Sequence, residues 1–557
     1  MNGFYPLFKL GTFNGFIMLA ISLFSALVLI YSTKFMEKKH RLIEYYSYIL
    51  LSAVTSLAIV FTNNLVILLA CWGFLGLLLY LLTNMGSDKA PAAAKKALII
   101  VGGTDALMVL GIGIIYQLTG TFQMDKIKIS LAAASYFLPV LAYICIAIAC
   151  FAKVGAFPFH TWMPDCAQSA PVPVAAYLPA SLDKLLGIYL LAKISLDLFI
   201  IESGMISILL MLIGAVTIIT AVMMALVQRN MKRMLGYSAV SQAGYMILGI
   251  GTLNPIGIAG GVFHMLNHSI YESCLFFTSG NVEKQMKTTE LDRLGGLSRL
   301  MPFTYISCLI AGLSVSGVPP FNGFVSKWMV YQGIVGNWQM AAGSWQAIVP
   351  VFCLIAAMLG SGLTLATMMK LFHAVFLGQP QGGSQRHNLS EVSWQMWVPG
   401  FLLAVICVIF GVFANQLPLK YFIFPAVGKA AFYGAWPAGL ATALIVTGLL
   451  AGVIVFKLTA LRKINLRTDR PFIGGEDMDL KEYPVTGSEF YNTVRELGFL
   501  QKIYNRAEAG FFDIYEQGKK ITVVCARVFQ YLHNGVLPTY LVWVLLGMLG
   551  IFWVLLK

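Results

Sequence analysis

Apolar runs of about twenty residues recur along nearly the whole chain, at 13–33, 44–62, 64–83, 96–118, 134–155, 171–195, 205–228, 236–253, 256–280, 300–337, 347–374, 395–416, 434–457 and 537–556. About 20 apolar residues is the length at which an α-helix crosses a bilayer core. Only 11% of the 557 residues are charged, against about 25% in a soluble domain. A water-soluble fold is therefore excluded, and the expected class is an all-α polytopic membrane protein with about fourteen transmembrane helices.

The formal charge of +14 would, in a soluble protein, raise the question of a nucleic-acid partner. Here the cations sit in short loops between apolar runs, and the loops alternate. Lys34, Lys38, Lys39 and Arg41, then Lys89, Lys95 and Lys96, then Arg229, Lys232 and Arg233, then Lys284, Lys287, Arg293 and Arg299, then Arg462, Lys463, Arg467 and Arg470 all fall on odd-numbered connections. They read as topology signals of a multi-pass protein of the inner (cytoplasmic) membrane, with both chain ends outside and no nucleic acid bound. No cleavable leader is expected, because the first run continues well past signal-peptide length. The nine cysteines include no CxxC pair, so they are expected to be small buried apolar residues rather than ligands or disulfides.

Two runs are interrupted. The fifth meets Gly155 and Pro158, followed by Phe159-His160-Thr161-Trp162-Met163-Pro164-Asp165; the tenth meets Gly317-Val318-Pro319-Pro320-Phe321-Asn322-Gly323. Proline lacks an N–H and clashes with the preceding turn, so both helices are expected to break at membrane depth. Irregular backbone is tolerated there only where protein buries it or a cavity lies beside it. The broken helix is fourth in spans two to six and fourth again in spans seven to eleven. Five is odd, so the units at 44–195 and 205–375 are expected to be inverted repeats, the organisation of a transporter with its ion path at the broken helices. The segment 1–43 precedes them and two peripheral spans follow at 395–457. Next, over 458–535, come a cytoplasmic loop, polar across 463–486, and then an amphipathic stretch at 488–530, whose Phe490, Val494, Leu497, Leu500, Ile503 and Tyr504 mix with Lys502, Arg506 and Glu508. It reads as one lateral helix of about 40 residues and about 60 Å, before an anchor at 536–557.

Ionisable residues inside spans are expensive and functional by default. Those present are Asp105, Lys153, Asp183, Lys184, His264, His268, Glu272 and Lys327. His264, His268 and Glu272 lie at i, i+4 and i+8, on one helix face along which protons could pass. Lys153 with Asp105 or Asp183 beside it would form a protonation switch. Asp183 faces another side of its helix from Lys184 and is open to a purely neutralising role. Two histidines at i, i+4 without a third ligand or an HExxH pattern do not support a metal site.

The run KVGAFPFHTWMPD at 153–165, Ala170-Pro171-Val172-Pro173-Val174, Lys232-Arg233-Met234-Leu235-Gly236-Tyr237-Ser238 with Ser241-Gln242-Ala243-Gly244-Tyr245, VFHMLNHSIYESCLFFTSG at 262–280 and GVPPFNGFVSK at 317–327 together carry a resemblance. Over about residues 13–375 the chain resembles the antiporter-like proton-translocating subunits of respiratory complex I, energy-converting membrane-bound [NiFe] hydrogenases, formate hydrogenlyases and multisubunit cation/proton antiporters. The resemblance implies that Lys153 is the broken-helix lysine, Lys184 the lysine of the next helix, His264 and His268 the central connection and Lys327 the terminal lysine, in a relay 153–184–264–268–327. The segment 463–535 resembles the lateral helix of the most distal complex I subunit. Three departures stand out. The family's Trp-Glu-Gly motif aligns with Cys71-Trp72-Gly73-Phe74, which places Gly73 at its glutamate. Glu272 stands where a lysine is common, and the start is about two helices short of the longest members. Asp105 matches an acidic position of the family and is the expected substitute carboxylate.

The implied function is H⁺ or Na⁺ translocation by a non-redox subunit, most naturally of an energy-converting hydrogenase. No Walker loop, haem CxxCH or dinucleotide fingerprint is present, so no cofactor is expected in this chain. Iron–sulfur clusters with NiFe or flavin are expected in partner subunits that form a peripheral redox arm, reached through antiporter-like and channel-like membrane neighbours. The alternatives are a stand-alone cation/proton antiporter or inorganic-carbon uptake component, and a scaffold with a degenerate first half-channel.

Overall fold

The computed structural model describes residues 11–131, 137–201, 204–378, 389–428, 430, 432, 438–461 and 491–556. It divides into two units, Met1–Glu496 and Leu497–Lys557.

The larger unit opens with α1 (Thr12–Phe35), α2 (Leu42–Phe61), α3 (Leu65–Thr83) and α4 (Ala90–Thr119), followed by the pair α5 (Phe137–Val154) and α6 (Trp162–Ser169). A helical stretch then runs through α7 (Val172–Tyr177), a π turn at Leu178–Leu182, α8 (Asp183–Lys193) and a second π turn. After it come α9 (Gly204–Leu226), α10 (Met231–Gly251), α11 (Pro255–Met286) and the second pair, α12 (Pro302–Ser316) and α13 (Asn322–Met340). The unit continues with α14 (Ile348–Phe372), α15 (Trp394–Val412), short α16 (Phe424–Val427), α17 (Ala438–Leu461) and α18 (Asn492–Glu496). Two-residue strands at Ile129–Ser130 and Phe199–Ile200 pair in parallel and tie the loop after α4 to the end of the α7–α8 stretch.

Among the described residues ten helices are long and apolar enough to cross a membrane, and Pro302–Ser316 and, within α17, Gly439–Val455 are shorter apolar stretches. The chain is thus a multi-pass membrane protein, and a helix stands at each of the apolar runs read from the sequence. α10, α11 and α13 fall outside the ten because they carry the buried polar residues described below. Local chemistry sets the ends. The Asn64 side chain accepts from the N–H groups of Val66 (2.8 Å) and Ile67 (3.3 Å) to cap α3. The Glu391 carboxylate accepts from Phe303 N–H (2.9 Å) and Thr304 N–H (3.1 Å), placing a negative charge at the positive end of α12.

α11 lies at the centre, packed on α7, α10, α12, α13 and α15. Glycine lets its neighbours approach backbone to backbone: a Cβ at Gly244 on α10 would meet Gly214 O at 2.6 Å and Ile218 N at 2.8 Å on α9. The basic connections meet at one end. Lys284 donates to Lys34 O (3.0 Å), Lys232 pairs with Glu283 (2.9 Å), Lys96 and Arg233 both pair with Asp165 (2.8 and 2.9 Å), and Lys370 donates to Leu226 O (2.9 Å).

The smaller unit comprises α19 (Gly498–Glu508), α20 (Ile514–Leu532) and α21 (Leu537–Leu555). This corrects the expected single lateral helix of about 40 residues. Gly510 takes a left-handed φ of 74° and the Asp513 side chain accepts from Tyr515 N–H (3.0 Å), so one helix stops and another starts. At 1.5 Å per residue the pieces reach about 16 and about 28 Å. Both are amphipathic in sequence, and α21 is apolar throughout. Phe490 and the polar stretch 463–486 lie outside the described residues.

Because the Gly244–Gly214 contact is backbone on both sides, Gly244→Val is expected to destabilise the protein by at least about 1–3 kcal/mol. A lowered thermal midpoint in detergent checks it, with Gly362→Ala, which has nothing within 4 Å, as the neutral control.

Candidate functional site: a buried row of lysines, histidines and carboxylates

The row starts where α5 stops. Gly155 adopts φ 69°, its N–H donates to Ala152 O (3.2 Å) and the Ala156 N–H reaches Phe151 O (2.8 Å). That is a Schellman ending, which leaves the carbonyls of the last two helical residues without an intrahelical partner. α12 stops in the same way: Gly317 has φ 81°, its N–H donates to Ser314 O (2.9 Å) and the Val318 N–H to Leu313 O (3.1 Å). Both glycines open the pattern G-x-x-P-F, Gly155 to Phe159 and Gly317 to Phe321. Pro158 and Pro320 hold equivalent places, each after a cis peptide bond, and Pro319 precedes the second.

Lys153, in the last turn of α5, is 1% exposed. Its Nζ donates to Trp72 O on α3 (3.3 Å), lies 4.5 Å from the centroid of the Trp72 ring and stands 3.9 Å from Asp183 Oδ1 on α8. Asp105 on α4 is within electrostatic reach of the same ammonium. A Cβ at Gly73 would lie 3.8 Å from Asp105 Oδ2. The carboxylate from α4 therefore occupies the space that an acidic side chain from position 73 would enter. Asp183 pairs across to Lys153, so its position one residue from Lys184 joins the two lysines.

Lys184 donates from Nζ to Val154 O, one of the carbonyls released by the break, and to Met163 Sδ (3.3 Å). Glu272 on α11 is within its electrostatic reach, and Glu272 Oε2 stands 3.9 Å from His268 Nδ1. One helical turn further, His264 Nδ1 meets Ser326 Oγ (2.9 Å), while the Gln242 amide and the Tyr271 hydroxyl both reach Nε2 at 3.2 Å. Lys327 follows Ser326 on α13; its Nζ donates to Val315 O (2.8 Å) and lies 4.4 Å from the centroid of the Tyr245 ring. All of these titratable groups except Asp105 are at most 2% exposed.

The structure thus brings the residues singled out from sequence into one file. Its order departs from the relay 153–184–264–268–327: α11 runs so that Glu272 faces Lys184 and His264 faces Lys327, and His268 comes before His264. Among the described residues, Asp183 Oδ2, Gln242 Nε2, both ring nitrogens of His268 and both oxygens of Glu272 are buried with no hydrogen-bond partner.

Several contributors were not singled out from sequence. Asn267 Nδ2 donates to Asn322 O (2.9 Å) and Asn322 Nδ2 to Asn267 Oδ1 (2.9 Å), which ties α11 to the second break. Thr217 Oγ1 on α9 accepts the Phe157 N–H (3.2 Å) at the first break. Trp72, Gln242, Tyr245 and Ser326 complete the surroundings of the lysines and of His264. The available signal was polar character inside an apolar or glycine-rich span.

Residues 62–360 match the family described as NADH:quinone oxidoreductase/Mrp antiporter, transmembrane. The chain is 29% identical over 527 residues to an Na⁺/H⁺ antiporter subunit of Alkalihalophilus pseudofirmus, across 87% of this chain and 64% of the relative. It is 31% identical over 457 residues to an Na⁺/H⁺ antiporter subunit of Staphylococcus haemolyticus, across 77% of this chain and 56% of the relative. It therefore spans less than two thirds of the length of these relatives. Three solved structures share the fold. A chain of the membrane-bound sulfane sulfur reductase, an archaeal respiratory membrane complex, has a TM-score of 0.78 at 20% identity and covers 98% of this chain and 89% of its own. A chain of the Mrp complex from Dietzia scores 0.67 at 21% identity, across 76% of this chain and 84% of that one. A chain of respiratory complex I from Thermus thermophilus scores 0.63 at 19%, across 75% and 85%.

The reciprocal amide pair sets a testable expectation. Asn267→Leu leaves the buried Asn322 amide without its partner and is expected to destabilise the protein by about 1–3 kcal/mol, read as a lowered thermal midpoint in detergent. Asn267→Gln is expected to lie between Leu and wild type.

Proposed function

We propose, on the premise that this chain belongs to the NADH:quinone oxidoreductase/Mrp antiporter transmembrane family, that it is a non-redox subunit moving H⁺ or Na⁺ in a multisubunit, complex I-like oxidoreductase of the cytoplasmic membrane. One observation carries the reading: the file of titratable groups, from part-buried Asp105 through the buried Lys153, Asp183, Lys184, Glu272, His268 and His264 to Lys327, that runs between the two broken helices. Buried polar atoms take partners, and internal water is the partner that fits the orphaned atoms of Asp183, His268 and Glu272. A hydrated file of this kind passes protons between fixed groups.

In this reading each lysine answers the charge of its neighbour. When the Lys153 ammonium shifts toward Asp105 and away from Asp183, Asp183 is freed to hold Lys184. The charge of Lys184 then acts on Glu272 and His268, and that of His264 on Lys327. Electron transfer and its iron–sulfur clusters belong to partner subunits in a peripheral arm, reached through neighbouring membrane subunits. The sequence resemblance favours an energy-converting [NiFe] hydrogenase. The sulfane sulfur reductase chain supports the redox-linked class more broadly, since the match extends over 98% of this chain, the C-terminal unit included. A second reading, a component of a stand-alone cation/proton antiporter, is favoured by the Na⁺/H⁺ antiporter relatives.

Purification of the tagged native protein in mild detergent, with iron, nickel and flavin analysis, separates these readings. Iron–sulfur partners with nickel are the expected result; iron with flavin and no nickel points to a complex I relative, and a metal-free complex to the antiporter. In everted membrane vesicles Lys327→Ala and Asp105→Ala are each expected to lower ion translocation by about a hundredfold, the lower end for loss of a positioned proton-transfer group. Adding Gly73→Glu to Asp105→Ala is expected to recover part of it, and no recovery would count against Asp105 as the substitute carboxylate.

A further inference from the structure

The sequence pairs Lys153 with Lys327, because each belongs to a broken helix. The geometry points to a different pairing: we infer that Lys184 is the counterpart of Lys327, and that it, rather than Lys153, is the residue that takes up and releases the transported proton at the first break. This rests on the ion-translocation reading above and assigns roles within it.

The two breaks superpose by sequence position, with Gly155 against Gly317 and Pro158 against Pro320. On that register the residue matching Lys153 is Val315, and the residue matching Lys327 is Asp165. Asp165 is held between Lys96 and Arg233 at the basic end, away from the break. Neither lysine therefore has a lysine as its mate by position.

The ammonium groups do have mates in space. A Cβ built at Gly155 would lie 3.9 Å from Lys184 Nζ, and one built at Gly317 would lie 3.9 Å from Lys327 Nζ. Lys184 donates to Val154 O and Lys327 to Val315 O. These belong to the two carbonyls that each Schellman ending leaves over, at 153–154 and 315–316. Each ammonium thus sits at the negative end of a half-helix, against the glycine that ends it. One arrives from the next helix, α8, and the other from the second half of the broken helix itself. Lys153 has a different setting: its Nζ faces Trp72 and Asp183, and no carbonyl of the break is among its partners.

The consequence is a division of labour. Lys184 and Lys327 are tethered cations that each fill one of the two carbonyls left at a Schellman ending, Val154 O and Val315 O, and release of a proton opens those sites. Lys153 is a positioning residue that acts on Lys184 through Asp183. When Lys153 is neutral or absent, Asp183 is left to Lys184 alone and holds it in its charged form.

Arginine tests this, because its guanidinium stays protonated and still donates to a carbonyl. In the intact complex, Lys184→Arg and Lys327→Arg are expected to co-purify with the normal partner chains yet lose translocation alike. Lys153→Ala is expected to lose it too, and to regain it substantially when Asp183→Asn is added, whereas Lys184→Met gains nothing from Asp183→Asn. Co-purification separates a failure to assemble from a loss of transport, and Lys184→Met supplies the uncharged variant of similar shape where Arg does not fit. The inference is overturned if Lys184→Arg translocates while Lys327→Arg does not, or if Lys153→Ala stays inactive with Asp183→Asn present. If Lys327→Arg and Lys327→Ala both translocate normally, it is the underlying ion-translocation reading that fails.

Discussion

A carbonyl released inside a membrane must find a donor. Hydrocarbon supplies none, so a helix that ends at membrane depth creates an obligation that the rest of the fold has to meet. α5 and α12 both end with their last carbonyls buried, at Val154 and Val315, and a lysine ammonium meets the obligation each time. The same contact answers the reverse problem, since a buried ammonium needs acceptors and a nearby negative end. The surrounding architecture follows from this exchange: α8 approaches α5 closely enough to deliver Lys184, α13 restarts at once to deliver Lys327, and α11 runs between them.

The first half of the file is built from more carboxylates than the second. Asp105, Asp183 and Glu272 all attend Lys153 and Lys184, whereas Lys327 has an aromatic face, a carbonyl and His264. Gly73 fits this distribution, because the carboxylate is supplied by α4 instead of α3. The second break is secured by the Asn267–Asn322 amide pair and by Ser314, which donates to Asn322 Oδ1. The first is held by Thr217 and by the close approach of α10 to α6 at Gly236 and Pro164. The two halves share a backbone plan and differ in how their side chains brace it.

What was readable in the sequence was what depends on local pattern. Glycine and proline announced both breaks, the i, i+4, i+8 spacing put His264, His268 and Glu272 on one face, and the apolar runs located the helices. What was not readable depends on contacts between distant segments. Nothing near Asn267 marks it as the partner of a residue 55 positions away, and the order of the two histidines along the file follows from the direction of α11. The turn that splits the lateral helix had a local signal, Gly510 followed by Asp513, but the amphipathic pattern on both sides masked it.

The direction of α11 has an electrical side. From Glu272 to His264 is eight residues, or about 12 Å along the helix axis, up to about two fifths of a hydrocarbon core near 30 Å thick. In the proposed translocation, charge handed along this stretch is displaced through the transmembrane field as well as sideways, toward the end opposite the basic loops. With about 2.3 kcal/mol for one charge crossing 100 mV, the histidine step alone carries up to about 1 kcal/mol of voltage-dependent work. On the proposed ion-translocation reading, the connection between the two breaks is therefore a place where membrane potential acts on the transport step directly.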